Sequence, residues 1–154
     1  TRDWSSDVCS SDLGMLDLLE PALRADGFAF RRLDGTMSLA AREKALHEFE
    51  TRTDVRVMLM SLKAAGLGVN LVCANHVLLL DVWWNPTVEE QAIDRAHRIG
   101  QTRHVFSTKL IARGTIEEKV LALQDRKRLL AQDMLSVEAL APTLSREDLE
   151  FLFS

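Results

Sequence analysis

Two kinds of hydrophobic spacing alternate along this chain. Short, largely apolar segments at 28–33, 55–60, 77–80 and 105–111, the third of them wholly apolar, predict strands, and stretches at 15–24 and 38–50, whose apolar residues recur every three or four positions, predict helices. Between the second and third runs lies Ala64-Ala65-Gly66-Leu67-Gly68-Val69-Asn70, a glycine-rich loop or short helix. Asn85 is placed as an N-cap with Pro86 at the first helical position, and Gly100 stands where such a helix would stop, so a helix is expected across 85–100. Thr115 and Glu118 have the capping-box spacing and open a long helix to about residue 135. Ser145 and Asp148 repeat a weaker form of that signal before the closing 149–153.

A run such as Val77-Leu78-Leu79-Leu80 is apolar at successive rather than alternate positions, which predicts burial on both faces. Parallel sheets covered by helices produce that environment, so the expected fold class is α/β in three layers. In open sheets of this kind chemistry gathers at the carboxyl ends of the strands, where Ser61, Lys63 and Asp81 would sit. The first fourteen residues are unlike the rest: Ser5-Ser6-Asp7-Val8-Cys9 is nearly echoed by Ser10-Ser11-Asp12-Leu13, with neither helical nor strand period. They read as a disordered terminus or a wrongly joined gene model. The expected organisation is a head at 1–14, a lobe at 15–114 and a helical extension at 115–154.

At 154 residues, 47% of them hydrophobic, the chain suits one domain with a real core. No apolar run approaches the roughly 18–20 residues needed to cross a bilayer, and no secretory leader is visible, so the expectation is a soluble intracellular chain with no membrane partner. Cys9 and Cys73 form no framework, and His47, His76, His97 and His104 lack metal-ligand spacing, so no metal is expected from this segment. A net charge of -4 argues against a free-standing nucleic-acid binder. The average conceals a local excess, because Arg95, His97, Arg98, Arg103, His104 and Lys109 crowd into one short stretch.

Gln91, Arg95 and Arg98 follow one another at spacings of four and three. On the expected helix such residues share one face, which would aim one amide and two guanidiniums in one direction. Guanidinium forks suit phosphate oxygens and the charge that builds on a transferring phosphoryl group. The chain has no Gly-x-x-x-x-Gly-Lys-Ser/Thr run, so these arginines would have to reach a nucleotide held by another domain. For the two arginines alone, a merely solvated helix face is an equal alternative.

The run Gln91-Ala92-Ile93-Asp94-Arg95-Ala96-His97-Arg98-Ile99-Gly100-Gln101 resembles motif VI of the Swi/Snf-type ATPases of helicase superfamily two. Residues 61–70 resemble their motif V, and Leu33-Asp34-Gly35-Thr36 resembles their motif IVa. Order and separations match the second, C-terminal RecA-like lobe from about Met15 onward. Trp83-Trp84-Asn85-Pro86 and residues 144–153 look closest to the Rad5/Rad16 and helicase-like transcription factor branch.

The resemblance implies half of a DNA-dependent ATPase, with the P-loop and the metal-binding acidic motif on an N-terminal RecA-like lobe. ATP with Mg would lie between the lobes, with Arg98 as the arginine finger, Arg95 as its partner, and Gln91, Gly68 and Asn70 at the nucleotide. Thr36, Ser61, Lys63 and Trp84 would touch double-stranded DNA, Trp83 would pack, and Asp81 would either order motif VI or act as a simple cap. The long helix, through Ile116, Val120, Leu123 and Leu130, would brace the lobes. The strand leading to motif IV, with its Ser-Gln pair, is expected to be missing. The piece alone would show no ATP turnover. Chromatin or repair proteins would be its partners, in a nucleus if the source is eukaryotic and otherwise in the cytoplasm. Two alternatives stay open: a non-catalytic RecA-like module that binds DNA or protein, and an RNA helicase lobe.

Overall fold

The computed structural model describes residues 7–11, 13–66, 68–134 and 144–153. Its elements in chain order are β1 (Asp7–Ser11), α1 (Leu13–Ala25), β2 (Ala29–Leu33), α2 (Leu39–Thr51), β3 (Val55–Ser61) and α3 (Leu62–Ala65). There follow β4 (His76–Leu79), α4 (Pro86–Ile93), β5 (Phe106–Lys109), α5 (Ile116–Met134) and α6 (Arg146–Phe153). The five strands form one sheet in the order β2-β3-β1-β4-β5, and every described pairing is parallel.

β1 corrects the expectation of a missing strand. Val8 pairs with Met58 on one side and with Val77 on the other, so Asp7–Ser11 is the central strand of the sheet. A strand flanked on both edges is held by main-chain hydrogen bonds, which every residue type except proline can make in full. Side-chain periodicity therefore carried no sign of it, because propensity in a sheet is set by neighbours more than by the residue itself.

The apolar runs divide their side chains between two faces. Met58 and Met60 of β3 join Val77 and Leu79 of β4 on the face covered by α2 and α4, where Phe49, Ala92 and Ala96 are buried. Val57 and Leu59 join Leu78 and Leu80 on the opposite face, beneath Leu16, Leu19 and Leu23 of α1. Both faces of the sheet are thus covered, which makes three layers of the kind expected. A third cluster seats α5 and α6, through Val120, Leu123 and Leu152, on Val82 and Trp84. Side chains beyond Leu129 of α5, Leu130 among them, lie outside those described.

The caps follow the sequence closely. Ser38 Oγ accepts from the Ala41 amide, Asn85 Oδ1 accepts from the Thr87 amide, and Pro86 opens α4. Ser145 and Asp148 form a reciprocal box, each main-chain amide donating to the other's side chain, at 3.0 and 3.1 Å. Thr115 Oγ1 accepts from the Glu117 amide, while Glu118 reaches back to the Gly114 amide rather than to Thr115 itself. None of the described helices is long and apolar enough to cross a membrane.

Candidate functional site

An open cavity of about 850 Å³ lies beyond the carboxyl ends of the strands, lined among others by Thr36, Ser61, Lys63, Asp81, Trp83 and Gln91. Each side chain arrives by a local device. Thr36 follows β2 and is fixed by Asp34, whose Oδ1 accepts from both its amide at 2.9 Å and its hydroxyl at 2.6 Å. Asp34 is 4% exposed, and Arg32 Nε donates to its Oδ2 at 2.7 Å. Burial pushes the Asp34 carboxyl up, but the two bonds from Thr36 and the Arg32 guanidinium outweigh it and hold the group below its ordinary value. Arg32 is itself raised, chiefly by its bonds to Asp17 and Glu20.

Ser61 closes β3 and caps α3, its Oγ accepting from the Ala64 amide at 3.2 Å. That cap turns the chain so that Lys63 faces solvent at the cavity, its side chain making no hydrogen bond or ion pair to any described residue. Thr36, Ser61 and Lys63 therefore line one cavity. Gln91 is exposed and joins them, while Arg95 and Arg98 are not among the residues that line the cavity.

α4 ends at Ile93, so Arg95 and Arg98 lie beyond the helix that carries Gln91. The amides of Arg95 and Ala96 reach back three residues, to Ala92 and Ile93, while the His97 amide reaches back four, to Ile93, so an irregular turn follows the helix. Tertiary ties then direct the chain elsewhere. The Leu71 amide donates to the Arg95 carbonyl at 2.9 Å. Gln101 Nε2 donates to the carbonyls of Ala74, Val72 and Ala96, at 2.7, 3.1 and 3.2 Å, and its Oε1 accepts from the Arg103 amide. The turn carrying Arg95 and Arg98 is thereby stapled to the loop that carries Gly68 and Asn70.

In that turn Arg95 is half-buried, and its Nε is buried with no hydrogen-bond partner among the described residues. Arg98 is exposed. Gly68 holds φ at +72°, which side-chain-bearing residues rarely adopt, although a Cβ there would meet nothing within 4 Å. Gly66, in the same glycine-rich segment, has a helical φ of -66° instead.

The two tryptophans exchange their expected places. Trp83 lines the cavity and is 38% exposed. Trp84 packs with the cluster under α5 and α6, with Lys127 Nζ 5.0 Å from its ring centre. Sequence reasoning missed three residues behind them. Glu89, 1% exposed, accepts from the Trp83 amide at 2.9 Å and from Lys109 Nζ at 2.5 Å. Lys109 Nζ also donates to Gln124 Oε1 at 2.9 Å, and Gln124 Nε2 donates to the Trp83 carbonyl. A signal was present for Gln124: it lies four residues beyond Val120, a polar side chain on the apolar stripe of α5.

A parallel sheet sandwiched by helices, with polar loops gathered at the strand ends, defines a RecA-like α/β lobe. Residues 6–100 match the family model described as "Helicase conserved C-terminal domain", a span that takes in β1. The chain belongs to that family. It is 54% identical over 149 residues to "Helicase-like transcription factor CHR27" of Arabidopsis thaliana, covering 95% of this chain and 14% of that protein. It is 44% identical over 138 residues to "DNA repair protein rad8" of Schizosaccharomyces pombe, covering 90% and 12%. The solved "C-terminal part of Fun30 ATPase domain" superposes with a TM-score of 0.78 at 35% identity, covering 96% of this chain and 45% of that one. The likeness to the Swi/Snf-type lobe in its Rad5 and helicase-like transcription factor branch is borne out. The chain spans about a seventh of the length of these two curated relatives.

Proposed function

We propose that this chain is the second lobe of an ATP-driven translocase on double-stranded DNA, of a chromatin-remodelling or DNA-repair type. The observation that carries the reading is the buried Arg95 Nε, without a hydrogen-bond partner among the described residues, on a turn stapled to the Gly68–Asn70 loop. A buried donor without an acceptor costs roughly 1–3 kcal/mol, a cost removed when an anionic oxygen arrives. Exposed Arg98 on the same turn is the arginine finger for ATP, Arg95 its partner, and Gly68 with Asn70 the close backbone approach.

The nucleotide phosphates and Mg would be gripped by an N-terminal RecA-like lobe. Among the described residues no cluster of histidines, cysteines and carboxylates is suited to a metal. Thr36, Ser61, Lys63 and, from its position, Trp83 would contact the DNA backbone, where hydroxyls and a cation fix position without reading bases. Gln91 fits this surface better than the nucleotide, and Trp84 fits a packing role. The chain by itself would not turn over ATP, and the intact protein would work in the nucleus if its source is eukaryotic and in the cytoplasm otherwise.

Arg98→Ala in the intact protein tests the reading. DNA-stimulated ATP turnover is expected to fall by about 10³–10⁵, the range for an arginine finger, while the Kd for duplex changes little. Undiminished turnover would sink the assignment.

A further inference from the structure

Both polar groups of the Trp83 peptide are taken by side chains from elsewhere in the fold. The amide donates to Glu89 of α4 and the carbonyl accepts from Gln124 of α5, while Lys109 of β5 bridges the two, closing a ring of four residues. Glu89 and Gln124 are 1% and 0% exposed, and the ring holds the loop that puts the Trp83 indole into the cavity.

Three residues on from Gln124, and so on the same face of α5, Lys127 lies over the Trp84 ring and pairs with Asp148 of α6 at 2.9 Å. Successive residues of the cavity loop are thus gripped by successive turns of one helix, one through its backbone and the next through its ring. Bonds inside such a buried network are strong when complete and costly when broken. The loop cannot keep its position if α5 moves away.

We propose that Gln124, acting with Lys109 and Glu89, is a positioning residue that sets the Trp83 indole for duplex DNA, so that engagement of the duplex depends on α5 being docked. This rests on the reading that the cavity takes the DNA backbone.

The test uses the intact protein carrying fluorotryptophan, with the fluorine resonance of Trp83 assigned by its loss in Trp83→Phe. Gln124→Leu is expected to shift that resonance before DNA is added and to raise the Kd for duplex roughly tenfold, the effect of one lost polar contact of about 1.4 kcal/mol. Leu16→Ala, a core change on the far face of the sheet, lowers Tm and leaves the resonance in place. If the leucine variant does not fold, Gln124→Glu decides by the same two readouts, since its carboxylate accepts from Lys109 but has nothing to donate to the Trp83 carbonyl. An unmoved resonance in a folded variant overturns the clamp. A shifted resonance, with the duplex Kd unchanged in Gln124→Leu, Trp83→Ala and Lys63→Ala alike, overturns the nucleic-acid reading instead.

Discussion

One oxygen of the buried Asp34 carboxylate accepts from the Thr36 hydroxyl at 2.6 Å and from the Thr36 amide at 2.9 Å, while the other accepts from Arg32. Thr36 therefore meets the cavity with its proton already committed to Asp34, and its oxygen lone pairs remain available. The turn is set by a charge, and charge is open to pH.

Because the folded-state pKa of Asp34 lies below its ordinary 3.8, the carboxylate contributes stability that is fully present above that value. That contribution is lost as pH falls from about 4 through the depressed folded value. Thermal unfolding of the intact protein between pH 7 and pH 3 should show parent and Asp34→Asn converging at the acid end, with the parent more stable near neutrality. A constant Tm difference across the range would refute this.

The exchange of tryptophans predicts a clean separation of phenotypes. Trp84→Ala empties part of the cluster beneath α5 and α6, and a half-buried indole places the loss near or below the low end of the roughly 3–5 kcal/mol seen for large core deletions. Trp83→Ala should cost little stability and weaken duplex binding instead. Denaturant melts and anisotropy titrations on both variants check the pair, and the reverse pattern would restore Trp84 to the DNA surface.

Lys63 stands exposed at the cavity without a partner among the described residues. A cation meeting phosphate acts without regard to sequence and releases counterions, so Lys63→Ala should weaken binding evenly across duplexes and lower the slope of log K against log salt by about one. An unchanged slope would remove Lys63 from the contact.

Much of the fold was legible in local pattern. Doubly apolar runs marked β3 and β4, and Asn85 and Ser145 announced helix starts with side chains that do cap them. What escaped was decided at a distance. β1 is defined by main-chain pairing to β3 and β4, and no arrangement of Asp, Val, Cys and Ser displays that. α4 stops at Ile93 although spacing extends the helical face to Arg98; beyond it the Arg95 and Ala96 amides bond three residues back and the Leu71 amide, from a distant loop, holds the Arg95 carbonyl. Lys109 lies 20 residues from Glu89 and 15 from Gln124, so nothing local joins them. At the site, the motifs located the loops, and only the fold decided which tryptophan and which glutamine faced the cavity.

Gln101 offers the sharpest test of how the arginine turn is held. Its two amide hydrogens are shared among three carbonyls, of Val72, Ala74 and Ala96, while its oxygen receives the Arg103 amide. Gln101→Ala leaves those carbonyls to solvent and should cost roughly 1–3 kcal/mol. For a domain of this size that corresponds to a fall in Tm of about 2–4 °C per kcal/mol. Gln101→Glu should be worse, although it is closer in shape, because an ionised carboxylate has no proton to give and would face three oxygen dipoles. The order parent, alanine, glutamate should hold both for Tm and for ATP turnover of the intact protein, since the same staple seats Arg95 and Arg98. A glutamate variant matching the parent in both measurements would mean that the turn is set by something other than this amide.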